Sequence, residues 1–123
     1  MHLAQEYAPG LLVYRFGHSM YYANVDLLGR QVNALARSAP ELRWFVIDLD
    51  AVDDVDFTAG TALLALRKTL AAQGIELKFL RAAPPVLAQL RRYSAVPNEP
   101  AQAQVFTSLR DMRHQYEAGR REG

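Results

Sequence analysis

The 123-residue sequence contains no cysteine, which excludes disulfides, cysteine-ligated zinc, iron–sulfur clusters and thiol nucleophiles. It has no apolar run of the ~18 residues that a spanning helix needs. The opening residues, Met1-His2-Leu3-Ala4-Gln5-Glu6, have neither the basic start nor the apolar core of a signal peptide. An excess of one charge is lacking too. Fourteen Lys and Arg stand against 13 Asp and Glu, a net +1 that argues against a nucleic-acid or polyanion binder. Neither Gly-x4-Gly-Lys-Ser/Thr nor Gly-x-Gly-x-x-Gly occurs, so no P-loop or dinucleotide site is indicated. His2, His18 and His114 are far apart and none neighbours a serine in a nucleophile elbow, which leaves a Ser–His–Asp site without support.

What is present is an ordinary globular composition, 50% hydrophobic and 22% charged. It suffices for one core and one domain over residues 1–123, with a flexible, solvated tail at 119–123. The charge is unevenly spread. Residues 41–80 carry four basic and seven acidic side chains, and residues 81–123 seven basic and four acidic. Asp48, Asp50, Asp53, Asp54 and Asp56 fall within nine consecutive positions.

Leu11-Leu12-Val13-Tyr14-Arg15-Phe16, after Pro9-Gly10, reads as a strand. Residues 17–23 are open between a loop and a second extended piece. Asn24 is a good N-cap type, and Val25, Leu28, Val32 and Leu35 follow at helical spacing up to the break before Pro40. Trp44-Phe45-Val46-Ile47 is apolar without alternation, as expected of a central strand covered on both faces.

Thr58 precedes a second helical pattern carrying Ala62, Leu63, Leu66 and Leu70, with Gly74 as its stop. A third strand (residues 75–80) and a helix opened by Pro84-Pro85, with Val86, Leu87 and Leu90, come next. Residues 93–103 read as a loop, Val105-Phe106 as a short strand, and residues 108–118 as a helix with Leu109, Met112 and Tyr116 inward. This alternation predicts an α/β fold: a mostly parallel sheet of about four strands with about four helices packed against it. Partners of such sheets meet the loops after the carboxyl ends of strands, and residues 48–58 form such a loop.

Several chemistries compete for that loop. Val46-Ile47-Asp48-Leu49-Asp50 resembles the strand-end Asp-x-Asp of the haloacid dehalogenase superfamily, whose first Asp is a nucleophile. That family also needs a distant acidic pair for Mg²⁺, whereas the acids after Asp56 are isolated. A phosphoacceptor receiver domain needs an acidic pair after the first strand, where Gly17-His18 stands. Asp50, Asp53, Asp54 and Asp56 offer oxygen ligands, yet the turn glycine and terminal Glu of a calcium loop are not in place. The plainer alternative is that these carboxylates are solvated or cap the next helix.

At Val55-Asp56-Phe57-Thr58-Ala59-Gly60 a hydroxyl stands at a helix start, where amides and the helix dipole favour an anion. A phosphate on Thr58 would gain from those amides and be repelled by Asp54 and Asp56. An ordinary Thr N-cap is the alternative. Tyr21, Tyr22 and Phe57 are candidates for an exposed partner surface, with burial in the core as the other reading. The basic last third suits anionic lipid headgroups, or, for Arg110 and Arg113, a solvated helix.

Taken in order, these segments resemble the STAS domain shared by sulfate transporters and anti-sigma factor antagonists, and most closely the C-terminal STAS domain of a bacterial SulP-type anion transporter. Residues 9–16 resemble the SulP opening strand, and Met20-Tyr21-Tyr22-Ala23-Asn24 its "L-Y-F-A-N" signature. Residues 44–49 and 52–58 resemble the central strand and the "D-x-[ST]" loop, and residues 74–77 and 105–109 the later elements.

The resemblance implies no catalysis and no required cofactor. It implies a regulatory role beside the transmembrane domain of the same transporter, at the cytoplasmic face of the membrane. Other cytoplasmic proteins or a second STAS domain are further partners, and nucleic acid is not one. In the antagonists a partner kinase phosphorylates the serine of Asp-Ser-Ser. Asp56 matches the Asp, Phe57 replaces the first Ser, and Thr58 matches the phosphorylated position, a departure that fits the SulP branch better.

Some STAS domains bind nucleotides, so a guanine or adenine nucleotide is a further expected ligand. Asp54, Asp56, Phe57, Thr58, Ala59 and Gly60 are the expected nucleotide- or partner-binding residues. The alternative to a transporter module is a free-standing antagonist switched by phosphorylation at Thr58. The SulP reading requires a membrane domain upstream, so the chain is expected to be an excised or separately expressed piece.

Overall fold

Trp44-Phe45-Val46-Ile47 forms the middle of the sheet, and Phe45, Val46 and Ile47 are each at most 1% exposed. In the computed structural model, which describes residues 4–17, 19–93, 95–96 and 104–122 (the backbone alone for Ala4, Arg121 and Glu122), nine elements follow one another. They are β1 (Ala4–Ala8), β2 (Leu11–Arg15), α1 (Tyr22–Ser38), β3 (Trp44–Asp48), α2 (Phe57–Ala71), β4 (Glu76–Leu80), α3 (Pro84–Arg92), β5 (Val105–Phe106) and α4 (Leu109–Glu122). The five strands lie side by side in chain order. The β1–β2 pair is antiparallel and the other three pairs are parallel. The mostly parallel α/β fold is as expected, with one strand more than about four.

That extra strand, β1, has no apolar alternation. Ala-Gln-Glu-Tyr-Ala is extended because Pro9-Gly10 turns the chain back onto β2, with Gly10 at φ +83°. A side chain at Gly10 would collide with the Glu41 carbonyl oxygen at 2.6 Å, and L-residues rarely adopt that φ.

The core divides along the sheet. On one face Phe45, Ile47, Leu77 and Phe79 pack with α1 (Val25, Leu28, Val32), α2 (Leu63, Leu66, Leu70) and α3 (Val86, Leu90). On the other, Leu11, Val13, Val46, Leu80 and Phe106 pack with Met112 and Tyr116 of α4, and Leu109 packs partly buried against them. Adjacent strand residues therefore serve opposite faces, which is why β3 shows no polar alternation.

Leu35 does not join the core and is 37% exposed. The core-facing side of α1 continues from Val32 through Ala36, which packs partly buried against the core, so Leu35 falls to the side of it. Residues 119–122 of the expected tail are helical, as the end of α4. Gly74, at φ +78°, follows α2, where Ile75 N–H donates to Leu70 O at 2.9 Å. His18, Ser94 and residues 97–103 of the expected loop lie outside the described residues. Among the described residues no helix is long and apolar enough to cross a membrane.

Candidate functional site

The loop between β3 and α2 leaves the carboxyl end of the most buried strand beside the loop between β2 and α1. A parallel bridge joins them: Met20 pairs with Val55, Met20 N–H donates to Asp54 O at 2.8 Å, and Asp56 N–H donates to Met20 O at 3.2 Å. The starts of α1 and α2 are thereby held side by side. Tyr21 is the residue before α1, and its N–H donates to Asn24 Oδ1 at 2.8 Å. Asn24 therefore serves the helix start from inside its first turn, instead of being the cap itself.

The five aspartates have separate tasks. Asp48, 4% exposed, pairs with the Arg81 guanidinium through Nη2, and its Oδ1 accepts the Asp50 N–H at 3.0 Å. The hydrogen bond to Asp48 raises Arg81 above its ordinary pKa, against the opposing effect of burial. Asp50 lies 3.8 Å from Arg15. Asp53 accepts the Ser19 hydroxyl at 2.6 Å, and Asp54 accepts the Gln89 amide at 2.9 Å. Asp56 caps α2, its Oδ1 accepting the Ala59 N–H at 2.7 Å and the Thr58 hydroxyl at 3.0 Å. Among the described residues no group of three or more His, Asp and Glu is arranged for a metal.

The cap is thus Asp56, and Thr58 is the second helical residue rather than the N-cap. Asp56, two residues upstream, takes the helix-start amide of Ala59, so α2 begins before Thr58. Thr58 is exposed, and Phe57 is 64% exposed. Ala59 and Gly60 are buried, so of the six expected site residues only Asp54, Asp56, Phe57 and Thr58 present side chains near the surface. Tyr21 and Tyr22, at 54% and 53% exposure, lie outside the core.

Asp48 is not disposed as a nucleophile. It is buried, ion-paired and bonded to a backbone amide, a structural role at the strand end.

Gln89 of α3 and Tyr93, the residue that follows α3, complete the site, and no sequence motif marks either. Gln89 Oε1 accepts the Val55 N–H at 3.0 Å while its amide holds Asp54, so one side chain pins two loop residues. Tyr93 stands edge-on to Phe57, ring centroids 5.7 Å apart at 83°. It packs where a Gly60 side chain would be, since a Cβ there would lie 2.2 Å from Tyr93 Cδ2.

A family model described as the STAS domain matches residues 3–112. The chain belongs to the STAS domain family. STAS domains are generally non-catalytic regulatory domains. This STAS domain is 32% identical over 87 residues to a probable sulfate transporter of Mycobacterium tuberculosis, an overlap of 70% of this chain and 16% of that protein. The chain therefore spans about a sixth of the length of the curated relatives it matches.

Among solved structures, the fold matches a murine solute carrier 26 anion transporter in the inward-facing state, with a TM-score of 0.76, 19% identity, and coverage of 92% of this chain and 18% of that one. It matches the SulP transporter STAS domain of Vibrio cholerae with a TM-score of 0.71, 17% identity, and coverage of 92% and 88%. The anti-sigma factor antagonist SpoIIAA in its unphosphorylated form matches with a TM-score of 0.76, 9% identity, and coverage of 96% and 97%. At these identities the structural matches establish a STAS fold.

Proposed function

We propose that this STAS domain is a non-catalytic regulatory module of a SulP-type sulfate or related anion transporter, held at the cytoplasmic face of the membrane. It acts through the surface of residues 50–61 on the transmembrane domain of the same transporter. The reading is carried by the 32% identity over 87 residues to a probable sulfate transporter. Phe57, standing where the antagonists have their first serine, supports it. So does the loop chemistry, in which each of the five aspartates is engaged with a neighbouring side chain or amide.

Uptake of labelled sulfate by cells carrying the parent transporter tests it. Removing this domain is expected to abolish or strongly reduce uptake, or to prevent assembly of the transporter in the membrane. Normal uptake and assembly without it would reject the reading.

A second reading, a switch at Thr58, is favoured by one observation: the Thr58 hydroxyl is exposed at the second position of α2 and hydrogen-bonded to Asp56. A phosphate there, or one brought by a guanine or adenine nucleotide, would meet helix-start amides and displace the Asp56 cap by repulsion. Amide shifts across residues 50–62 on titration with GTP, GDP and ATP, and mass spectrometry of Thr58 from cells, test it. No shift at millimolar nucleotide together with unmodified Thr58 would dismiss it.

A further inference from the structure

Tyr21, Tyr22 and Phe57 belong to one patch, because the Met20–Val55 bridge sets the start of α1 directly beside the start of α2. Three aromatic side chains more than half exposed are unusual in adjacent positions of a small domain. Around them the carboxylates differ in how they are held. Asp48 and Asp50 face arginines, so their charge is balanced within the domain. Asp53, Asp54 and Asp56 are bonded by a serine hydroxyl, a glutamine amide, and a backbone amide with a threonine hydroxyl. Those donors are neutral. They fix the carboxylates without cancelling them, and among the described residues no Lys or Arg forms an ion pair with these three. The patch is therefore an aromatic centre with a negatively charged rim set in place by the fold.

We infer that this face docks a cationic amphipathic segment, one carrying Lys or Arg around apolar side chains, contributed by a cytoplasmic loop of the transporter's own membrane portion. The chemistry follows from complementarity: apolar side chains cover the aromatic rings, and the cations meet Asp53 and Asp54. The source rests on the transporter reading above, since cytoplasmic loops of membrane proteins are enriched in Lys and Arg. An anionic lipid surface has the wrong sign for this rim. A second copy of the domain would have to offer a basic helix such as α4, whose Arg110 and Arg113 are exposed.

The test uses the intact domain and a 14-residue amphipathic Leu/Lys peptide, with a Leu/Glu peptide of the same pattern and a Ser/Lys peptide of the same charge as controls. Backbone amide shifts are expected at residues 19–22 and 53–58 with the Leu/Lys peptide alone. The double variant Asp53→Asn, Asp54→Asn keeps both hydrogen-bond acceptors and removes two charges; it should weaken binding about fivefold, an effect that fades in high salt. Phe57→Ala, at an exposed position, should weaken it about tenfold with salt dependence retained. Circular dichroism and thermal melts confirm that both variants fold.

Equal binding of the Leu/Lys and Ser/Lys peptides, shifts mapping elsewhere, or indifference to both sets of substitutions would overturn the inference. So would attachment of this face to phosphatidylserine vesicles, or self-association of the domain that competes with the peptide. Peptide docking here in a protein whose removal leaves uptake intact would instead refute the transporter source and preserve the surface chemistry.

Discussion

The Asp48 carboxylate and the Arg81 guanidinium close the carboxyl ends of β3 and β4 against each other, 33 residues apart in the chain. The pair is lopsided: the Asp48 side chain is 5% exposed and that of Arg81 33%. Arg81 also adopts φ +58°, a left-handed backbone conformation unfavourable for a residue with a Cβ. Arg81→Ala is expected to destabilise the domain by about 2–4 kcal/mol, because it strands a buried carboxylate. Arg81→Gly loses the same partner and relieves the backbone, so its cost should be about 1 kcal/mol smaller. Urea unfolding of the two variants measures the difference, and an equal or larger loss for the glycine variant would contradict it.

Glycine-to-alanine changes inside helices commonly stabilise by roughly 1 kcal/mol, and at position 60 the sign should reverse. The added methyl would drive Tyr93 from its seat over α2 and break its contact with Phe57. Gly60→Ala is expected to cost about 1–3 kcal/mol, most of it recovered when Tyr93→Ala is combined with it. Thermal melts of the two single variants and the double variant give the coupling directly.

Asp56→Ala should cost about 0.5–2 kcal/mol through loss of the α2 cap, with Asp56→Asn much milder because its side-chain oxygen still accepts from Ala59 N–H. Hydrogen exchange at Ala59 should accelerate in the alanine variant only. The same exchange would rise on phosphorylation of Thr58 if its phosphate displaces the Asp56 cap.

The Tyr116 hydroxyl donates to Pro9 O, and its ring meets Trp44 edge-on with centroids 5.0 Å apart. Burial raises Tyr116 and Tyr14 above the ordinary tyrosine value of 10.0. The folded state thus keeps these protons to higher pH than the unfolded chain does. Their contribution is complete below the unfolded-state pKa of about 10 and is lost as pH rises through the folded-state values. Stability is expected to fall above about pH 10. Tyr116→Phe should start roughly 1 kcal/mol lower at neutral pH and fall less steeply.

What was legible in the sequence depended on whether a feature is local. The middle strand showed in Trp44-Phe45-Val46-Ile47 because both its faces are covered, and the strand-to-helix loop showed in its density of aspartates. The exact start of α2 is not legible because Thr58 and Asp56 are both capping types, and only the backbone conformation selects Asp56. β1 carries no signal of its own, because Ala-Gln-Glu-Tyr-Ala is extended through pairing with β2 and not through an apolar pattern. Gln89, Tyr93 and the Arg81 partner of Asp48 could not be read, since each depends on strand register and helix placement over more than 30 residues. The buried Lys78 is a similar case. It is 1% exposed, and its ammonium sits 3.1 Å from Glu76 and 4.6 Å from the centre of the Trp44 ring.

The Tyr116–Pro9 contact joins residues 107 positions apart, and it has a consequence for how the protein is made. The second face of the sheet stays open while β1 to β5 emerge from the ribosome, with Trp44, Val46 and Phe106 lacking their cover. Only the arrival of α4 seals it. A nascent chain stalled before residue 109 would therefore expose an apolar sheet surface, and the interval before α4 appears is when this domain is most prone to aggregate or to engage a chaperone.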